Sequence, residues 1–317
     1  MHASNKRALA ALAAAGVAIG AAVAYFPFTP AARETVGDTL PVSGNTAPVV
    51  EPLTGETYDL VPLSWTLSAA DAEGDAVLFR IVQAPAQGQA SIQDGVLTYT
   101  PDEGQRGEIT FTYQAVDTGA ARSDPAPVTV AVRRYTGQTY ADLEGEKCQY
   151  AALALTELGV LHGTQVGQAT LLLPDETITR NELAVLAVQA AGLRVSDQGG
   201  TSFLDDESIA PWARPYVAAA QRAGAVNGYP AQDGTAAWQG DRPVTRAEAA
   251  LLLARLDGSA QVSVLTGESQ VGGVPAWALT GAGLLSALPG AEASAPLTRG
   301  EAVLLTWYAL GQESLAN

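Results

Sequence analysis

Histidine, cysteine and basic residues are scarce in this chain. Only His2 and His162 occur among 317 residues, so a His-based catalytic triad or a His-rich zinc site has almost no material. A single Cys, Cys148, excludes an internal disulfide. Its place in an apolar helical stretch reads as a buried structural thiol rather than a reactive one. Lys and Arg number 17 against 33 Asp and Glu. No basic patch stands out, which argues against a nucleic-acid partner. The imbalance is uneven: residues 45–135 hold 5 basic and 12 acidic side chains, and residues 136–317 hold 9 and 19. This acidity reads as a solvated surface. A glycosidase needs two facing carboxylates, but the acidic residues here already have turn, cap or surface explanations. No catalytic residue is assigned, and the chain is read as a non-enzyme.

One long apolar stretch is present. Lys6-Arg7 precede an uncharged segment, Ala8–Phe26, the pattern of an export signal, with Ala22-Val23-Ala24 as a small-x-small cleavage site. Its 19 residues also approach the roughly 20 needed to span a bilayer. Residues 1–26 therefore read as a signal peptide, the preferred reading, or as a retained membrane anchor. Both place the rest of the chain outside the cytoplasmic membrane. Residues 27–44 carry Pro, Gly and scattered charge and read as a linker.

Residues 45–134 have a period of two. Ile109, Phe111, Tyr113 and Ala115 alternate with polar residues, as do Val77, Phe79 and Ile81 and then Val128, Val130 and Val132. Turn signals such as Asp94-Gly95 separate them. About seven short strands without a Cys pair predict a β-sandwich. Asn45-Thr46-Ala47-Pro48, the acidic turn Ala69–Asp75, Leu97–Pro101 and Phe111–Asp117 resemble the bacterial cadherin-like, Ig-like repeat. Asp71, Glu73 and Asp75 place three carboxylates within five residues, a density of hard oxygen ligands that could hold calcium. The plainer reading, a polar turn between strands, is preferred.

The remainder repeats itself. Thr-Arg-x-Glu stands ahead of an apolar run three times, at Thr179-Arg180-Asn181-Glu182, Thr245-Arg246-Ala247-Glu248 and Thr298-Arg299-Gly300-Glu301. Thr is an N-cap and Glu at N3 completes a capping box. The Arg is unexplained by this, because a cation in the first turn faces the positive end of the helix dipole. Each unit reads as a helix stopped by Gly, a Gly-rich loop of about 20 residues and a second helix. The units span 138–193, 201–257 and a degenerate 260–311. The second helices present Leu183, Leu186, Ala187 and Ala190, then Ala249, Leu252, Leu253 and Leu256, then Ala302, Leu305, Thr306 and Ala309. One pair cannot bury these stripes alone, whereas three packed together can.

Phe203, Asp205, Trp212-Ala213, Gly224, Gly228-Tyr229, Asp233-Gly234, Trp238 and Thr245-Arg246-Ala247-Glu248 together resemble the S-layer homology domain, which usually comes in sets of three. The resemblance implies an all-α, pseudo-threefold helical bundle behind the all-β sandwich. It also implies noncovalent attachment to a cell-wall glycopolymer capped by a pyruvylated sugar. By the same resemblance the motif Arg, the aromatic-x-Asp carboxylate and the loop Trp line grooves between copies. That assigns Arg246, Arg180 and Arg299, Asp205 and Asp142, and Trp212 to polymer binding. A ketal pyruvate is a carboxylate, which Arg can pair with and which a helix N-terminus with free N–H groups also favours. For Trp238 core packing is preferred over sugar stacking. Copy one has Lys147 near the Trp position. In copy three Val264 and Val271 stand at the Asp and Trp positions, and Trp277 is a loop Trp only if its helix is shortened. One or two competent grooves are therefore expected rather than three.

These readings converge on an exported surface protein anchored to the cell wall, with the β-domain as spacer or displayed module. An adhesin or envelope scaffold, whose β-domain binds a protein or glycan partner, is the alternative. An exposed apolar patch on residues 45–134 would favour it.

Overall fold

In a computed structural model of the chain, the described residues are 44–310, except 60, 197–198, 232–233 and most of 257–291. The export segment, the first helix of copy three, and the side chains of Val264, Val271 and Trp277 lie outside them. The described residues form two compact units, and the chain passes from one to the other between residues 136 and 137.

The first unit is a β-sandwich. One sheet has the order β1-β7-β6-β3, from Leu53–Tyr58, Ala126–Arg133, Gly107–Asp117 and Val77–Gln83; the other has the order β2-β5-β4, from Leu63–Thr66, Val96–Thr100 and Gln89–Gln93. β1 pairs with β7 in parallel and the remaining pairs are antiparallel. The period-two pattern sets the core. Alternate residues Ala126, Val128, Val130 and Val132 of β7 are buried, and they meet Phe111 and Tyr113 of β6 and Trp65, Leu97 and Tyr99 of the facing sheet. Tyr99 stacks on Phe111 with ring centroids 5.6 Å apart. Asp59 is buried, and its carboxylate accepts from the amides of Gly104 and Tyr135, tying a loop and the end of the domain to β1.

The acidic turn does not assemble an ion site. One oxygen of Asp71 accepts from the Glu73 and Asp75 amides at 3.1 and 2.9 Å, while the Glu73 carboxylate accepts from the Thr46 amide and hydroxyl. No group of three acidic, His or Cys side chains placed to hold a metal occurs among the described residues. The calcium expectation for Asp71, Glu73 and Asp75 is thereby corrected. Asp71 Oδ1 is spent on backbone donors of the turn, the local use that Asp has in turns, and Glu73 on Thr46, while Asp71 Oδ2 is buried without a hydrogen-bond partner.

The second unit carries five described helices: α1 (Gln149–Glu157), α2 (Arg180–Ala190), α3 (Arg214–Arg222), α4 (Arg246–Leu256) and α5 (Arg299–Ala309). α2, α4 and α5 are the three helices that follow Thr-Arg-x-Glu, and each touches the other two. The predicted stripes face inward: Leu183, Leu186 and Ala187, then Ala249, Leu252 and Leu253, then Ala302, Leu305 and Thr306 are all buried. Their outer ends, Ala190, Leu256 and Ala309, are half-buried. α1 and α3 stop at Gly159 and Gly224, both left-handed with φ of 71° and 73°. The loops add short hairpins, Thr164–Val166 with Ala169–Leu171 and Tyr229–Pro230 with Ala236–Ala237, where the sequence reading has loop.

The helices interleave across copies. α1 packs on α5 rather than on its own α2, and α3 packs on α2 rather than on its own α4. The first helices of copies one and two therefore find their main helix partner in another copy.

Candidate functional site

The three motif segments meet at a closed ring of backbone hydrogen bonds. Ile178 N–H donates to Leu297 O at 3.0 Å, Leu297 N–H to Val244 O at 2.8 Å, and Val244 N–H to Ile178 O at 3.1 Å. All three residues are buried. Each next residue is the cap Thr, and the capping boxes form in all three copies. The Thr179, Thr245 and Thr298 amides donate to Glu182, Glu248 and Glu301, whose own amides donate back to the Thr hydroxyls.

The other amides of each first turn are also taken. Arg180 and Asn181 donate to Arg242 O and Gly240 O, Arg246 and Ala247 to Ala295 O and Ala293 O, and Arg299 and Gly300 to Glu176 O and Pro174 O. The expectation of free N–H groups awaiting an anion is therefore wrong. Every copy lends carbonyls to the next helix start, so the orphan donors of these helices are satisfied within the protein.

The Arg side chains run in the same direction. Arg246 grips Glu301 in a fork, with Nε 3.1 Å from both carboxylate oxygens and Nη2 2.6 Å from Oε1. Arg299 reaches Glu182 at 2.6 Å and donates through Nε to Leu172 O at 2.7 Å. Arg180 lies 3.9 Å from Glu248, donates to Trp238 O at 2.9 Å and sits 4.2 and 4.6 Å from the Trp238 and Tyr229 ring centres. Each motif Arg thus meets the capping Glu of the next motif. Each Glu also serves two tasks, capping its own helix and pairing with a foreign Arg.

Burial lowers the Arg180 guanidinium pKa despite nearby Tyr229 and Glu248. At Glu248 burial favours the neutral acid, but the Thr245 amide, the Tyr229 hydroxyl and Arg180 outweigh it and hold the carboxyl below its ordinary value. A depressed carboxyl contributes stability that is complete above its unfolded value, about 4.3, and is lost as pH falls through the folded one. The melting temperature of the helical unit should therefore fall below about pH 4.5, and Glu248→Gln should flatten that fall in thermal melts taken between pH 3 and 6.

The two Asp residues are likewise engaged. Asp142 accepts from the Leu172 and Leu173 amides, and Asp205 from the Trp238 and Gln239 amides at 2.6 and 2.7 Å. Leu173 and Gln239 hold matching left-handed conformations, φ 59° and 56°. The carboxylate clamps a turn that non-Gly residues rarely adopt. Trp238 is fully buried, stacked on Phe203 with centroids 5.7 Å apart and donating to Asn181 at 2.8 Å.

Trp212 is the exception. It is 55% exposed. It stands over a groove of about 160 Å³ bounded by Leu161, His162, Glu182, Leu186, Arg299 and Val303. The groove thus joins copies one and three, and the Trp that overhangs it comes from copy two. The sequence reading gathers Arg246, Asp205 and Trp212 into one constellation of copy two. The structure instead sets Trp212 beside Arg299, because a first-turn Arg points sideways into the next copy. Sequence reasoning also missed the second task of Glu182, Glu248 and Glu301, although Arg and Glu recur together in all three copies.

With this geometry in place, comparison with known proteins gives two family matches. The bacterial Ig domain covers residues 45–131 and the S-layer homology domain residues 202–250. The chain carries one of each. Among curated proteins, an amylopullulanase of Thermoanaerobacterium thermosulfurigenes is 32% identical over 123 residues, 38% of this chain and 6% of that one. Exoglucanase XynX of Acetivibrio thermocellus is 31% identical over 123 residues, again 38% of this chain and 11% of that protein. The chain therefore spans only a small part of these relatives. Among solved structures, an endo-fucoidan hydrolase of glycoside hydrolase family 107 aligns at 18% identity over 32% of this chain and 16% of its own, with a TM-score of 0.25. The S-layer homology domain places the chain at the cell surface as a wall-anchored protein. No helix among the described residues is long and apolar enough to cross a membrane.

Proposed function

We propose that this is an exported, non-enzymatic surface protein. All three Thr-Arg-x-Glu units act as S-layer homology copies that bind a secondary, pyruvylated cell-wall glycopolymer, and the Ig-like domain serves as spacer or displayed module. The observation that carries this reading is Trp212, a large ring left half in solvent at the lip of a groove with an apolar floor and the Arg299–Glu182 pair at its edge. An exposed aromatic over such a floor suits the apolar face of a sugar ring, and the paired charges beside it offer hydrogen bonds to hydroxyls. The equivalence of the three capping boxes and the cyclic backbone ring support extending the family assignment from residues 202–250 to all three copies. The curated relatives support a transferable module, since the part they share is a small fraction of each.

Titration of the full chain against purified wall fragments tests the reading. Trp212→Ala is expected to weaken binding roughly tenfold with the melting temperature unchanged, because an exposed ring contributes to the complex and not to the fold. Equal binding by wild type and Trp212→Ala would remove the groove from the site.

Leu78 and Val82 project outward from the edge strand β3 at 56% and 46% exposure, which speaks for the second reading, a partner on the Ig-like domain. Arg80 stands between them. The apolar surface is thus interrupted, and the spacer reading is preferred.

A further inference from the structure

We propose that Arg242 is the residue that selects the anionic sugar of the polymer, and that this sugar docks where the start of α2 meets the loop of copy two. The proposal deepens the wall-binding reading and rests on it. The three Arg–Glu junctions look alike but differ in charge. At two of them a guanidinium is matched by one carboxylate, Arg246 by Glu301 and Arg299 by Glu182, at 2.6 Å in each case. A matched pair offers a further anion little net attraction, and a carboxylate brought to it would meet the one already there. The junction of copies one and two is different. Around Tyr229 stand two guanidiniums, Arg180 and Arg242, and among the described residues Glu248 is the one carboxylate that acts on the ring beside them; the Arg242 guanidinium carbon is 4.7 Å from the Tyr229 ring centre.

The difference comes from one position, three residues before the cap Thr. It is Arg242 in copy two, Glu176 in copy one and Ala295 in copy three. The residue before it does not change the ranking against copy one, since Asp241 there corresponds to Asp175. The Asp241 carboxylate is directed to Asn181, 3.1 Å away. The two cations of the pair also differ in availability. Arg180 is 11% exposed and committed to Trp238 O and two aromatic faces, whereas Arg242 is exposed, rests on the Tyr229 ring and reaches Glu248 only through its field. Arg180 is thus a strut of the fold, and Arg242 is the guanidinium that can turn its fork to a carboxylate. The Tyr229 face holds that fork in place against the bulk negative charge of the chain. The ligand is a sugar bearing a carboxylate, either as a ketal or as an acid of the ring.

The test uses the full chain as wild type, Arg242→Ala and Arg242→Glu, the last copying the residue of copy one. Each is titrated against intact wall fragments, fragments whose ketals have been hydrolysed by mild acid, and fragments whose carboxyls have been reduced. On intact fragments Arg242→Ala should bind about tenfold more weakly and Arg242→Glu more weakly still, with melting temperatures unchanged. On carboxyl-reduced fragments all three should bind alike, and the acid-treated arm tells a ketal from a ring acid. Equal binding of wild type and Arg242→Ala to intact fragments overturns the assignment of Arg242 and leaves the wall-binding reading standing. A difference that persists on carboxyl-reduced fragments overturns the carboxylate. Failure of the wild type to bind intact fragments overturns the wall-binding reading and this proposal with it.

Discussion

Arg246→Ala should lower the stability of the helical unit by about 3 kcal/mol, the range for removing one partner of a largely buried ion pair. The side chains of Arg246 and Glu301 are only 16% and 21% exposed, and the pair is a two-pronged fork. Truncation leaves the Glu301 carboxylate facing a desolvated gap. Thermal melts should show a drop of roughly 9 °C, at about 3 °C per kcal/mol for a domain of this size. The second substitution Glu301→Gln should restore part of that loss. It removes the orphan charge while the amide oxygen can still accept from Thr298. A double variant as unstable as Arg246→Ala would show that charge burial is not the cause. One consequence concerns binding experiments: wall binding lost in an Arg180→Ala/Arg246→Ala protein cannot be assigned to ligand contact, because both arginines also hold copies together.

Trp238→Ala should be more damaging still, about 4 kcal/mol, the usual range for deleting a large buried aromatic. The ring is fully buried against Phe203, its N–H satisfies the buried Asn181, and its face carries the Arg180 guanidinium. The substitution opens a cavity, leaves a buried amide oxygen unpaired and strips one aromatic wall from a partly desolvated cation. Denaturant titration should report it as a lower midpoint with little change in slope. Trp238→Phe should recover the packing but not the hydrogen bond, and so fall between.

The contrast between Trp238 and Trp212 shows how far the sequence was readable. Local grammar was legible throughout. The alternation at Ile109–Ala115 and Val128–Val132 sets strands with one buried face, and Thr-x-x-Glu sets three helix starts. Preferring the core for Trp238 agrees with its full burial. What was not legible is everything that depends on which copy touches which. Thr-Arg-x-Glu says that an Arg needs a partner outside its helix, but both an external carboxylate and a neighbouring Glu satisfy that need. Only the sideways direction of the first turn, set by packing of α2, α4 and α5, chooses the neighbour. Likewise Asp205 reads from the motif as a groove carboxylate, whereas its short distances to the Trp238 and Gln239 amides make it a clamp on a left-handed turn. Arg242 belongs to no motif and differs in every copy, so a search for what repeats passes over it.

The packing of α1 on α5 also governs when this unit can fold. The two helices lie about 150 residues apart in the chain, and α1 has no other main packing partner among the described helices. The ring through Ile178, Val244 and Leu297 is equally incomplete until the third segment arrives. Closing so long a loop is entropically unfavourable before the contacts form, so such a topology favours slow, late consolidation. A chain emerging from its N-terminal end therefore cannot seal its first copy until α5 has been delivered. While the last helix is absent, the earlier copies remain loosely packed and threadable. For the exported protein proposed above, that order of events would let the chain cross a membrane extended and lock on the far side.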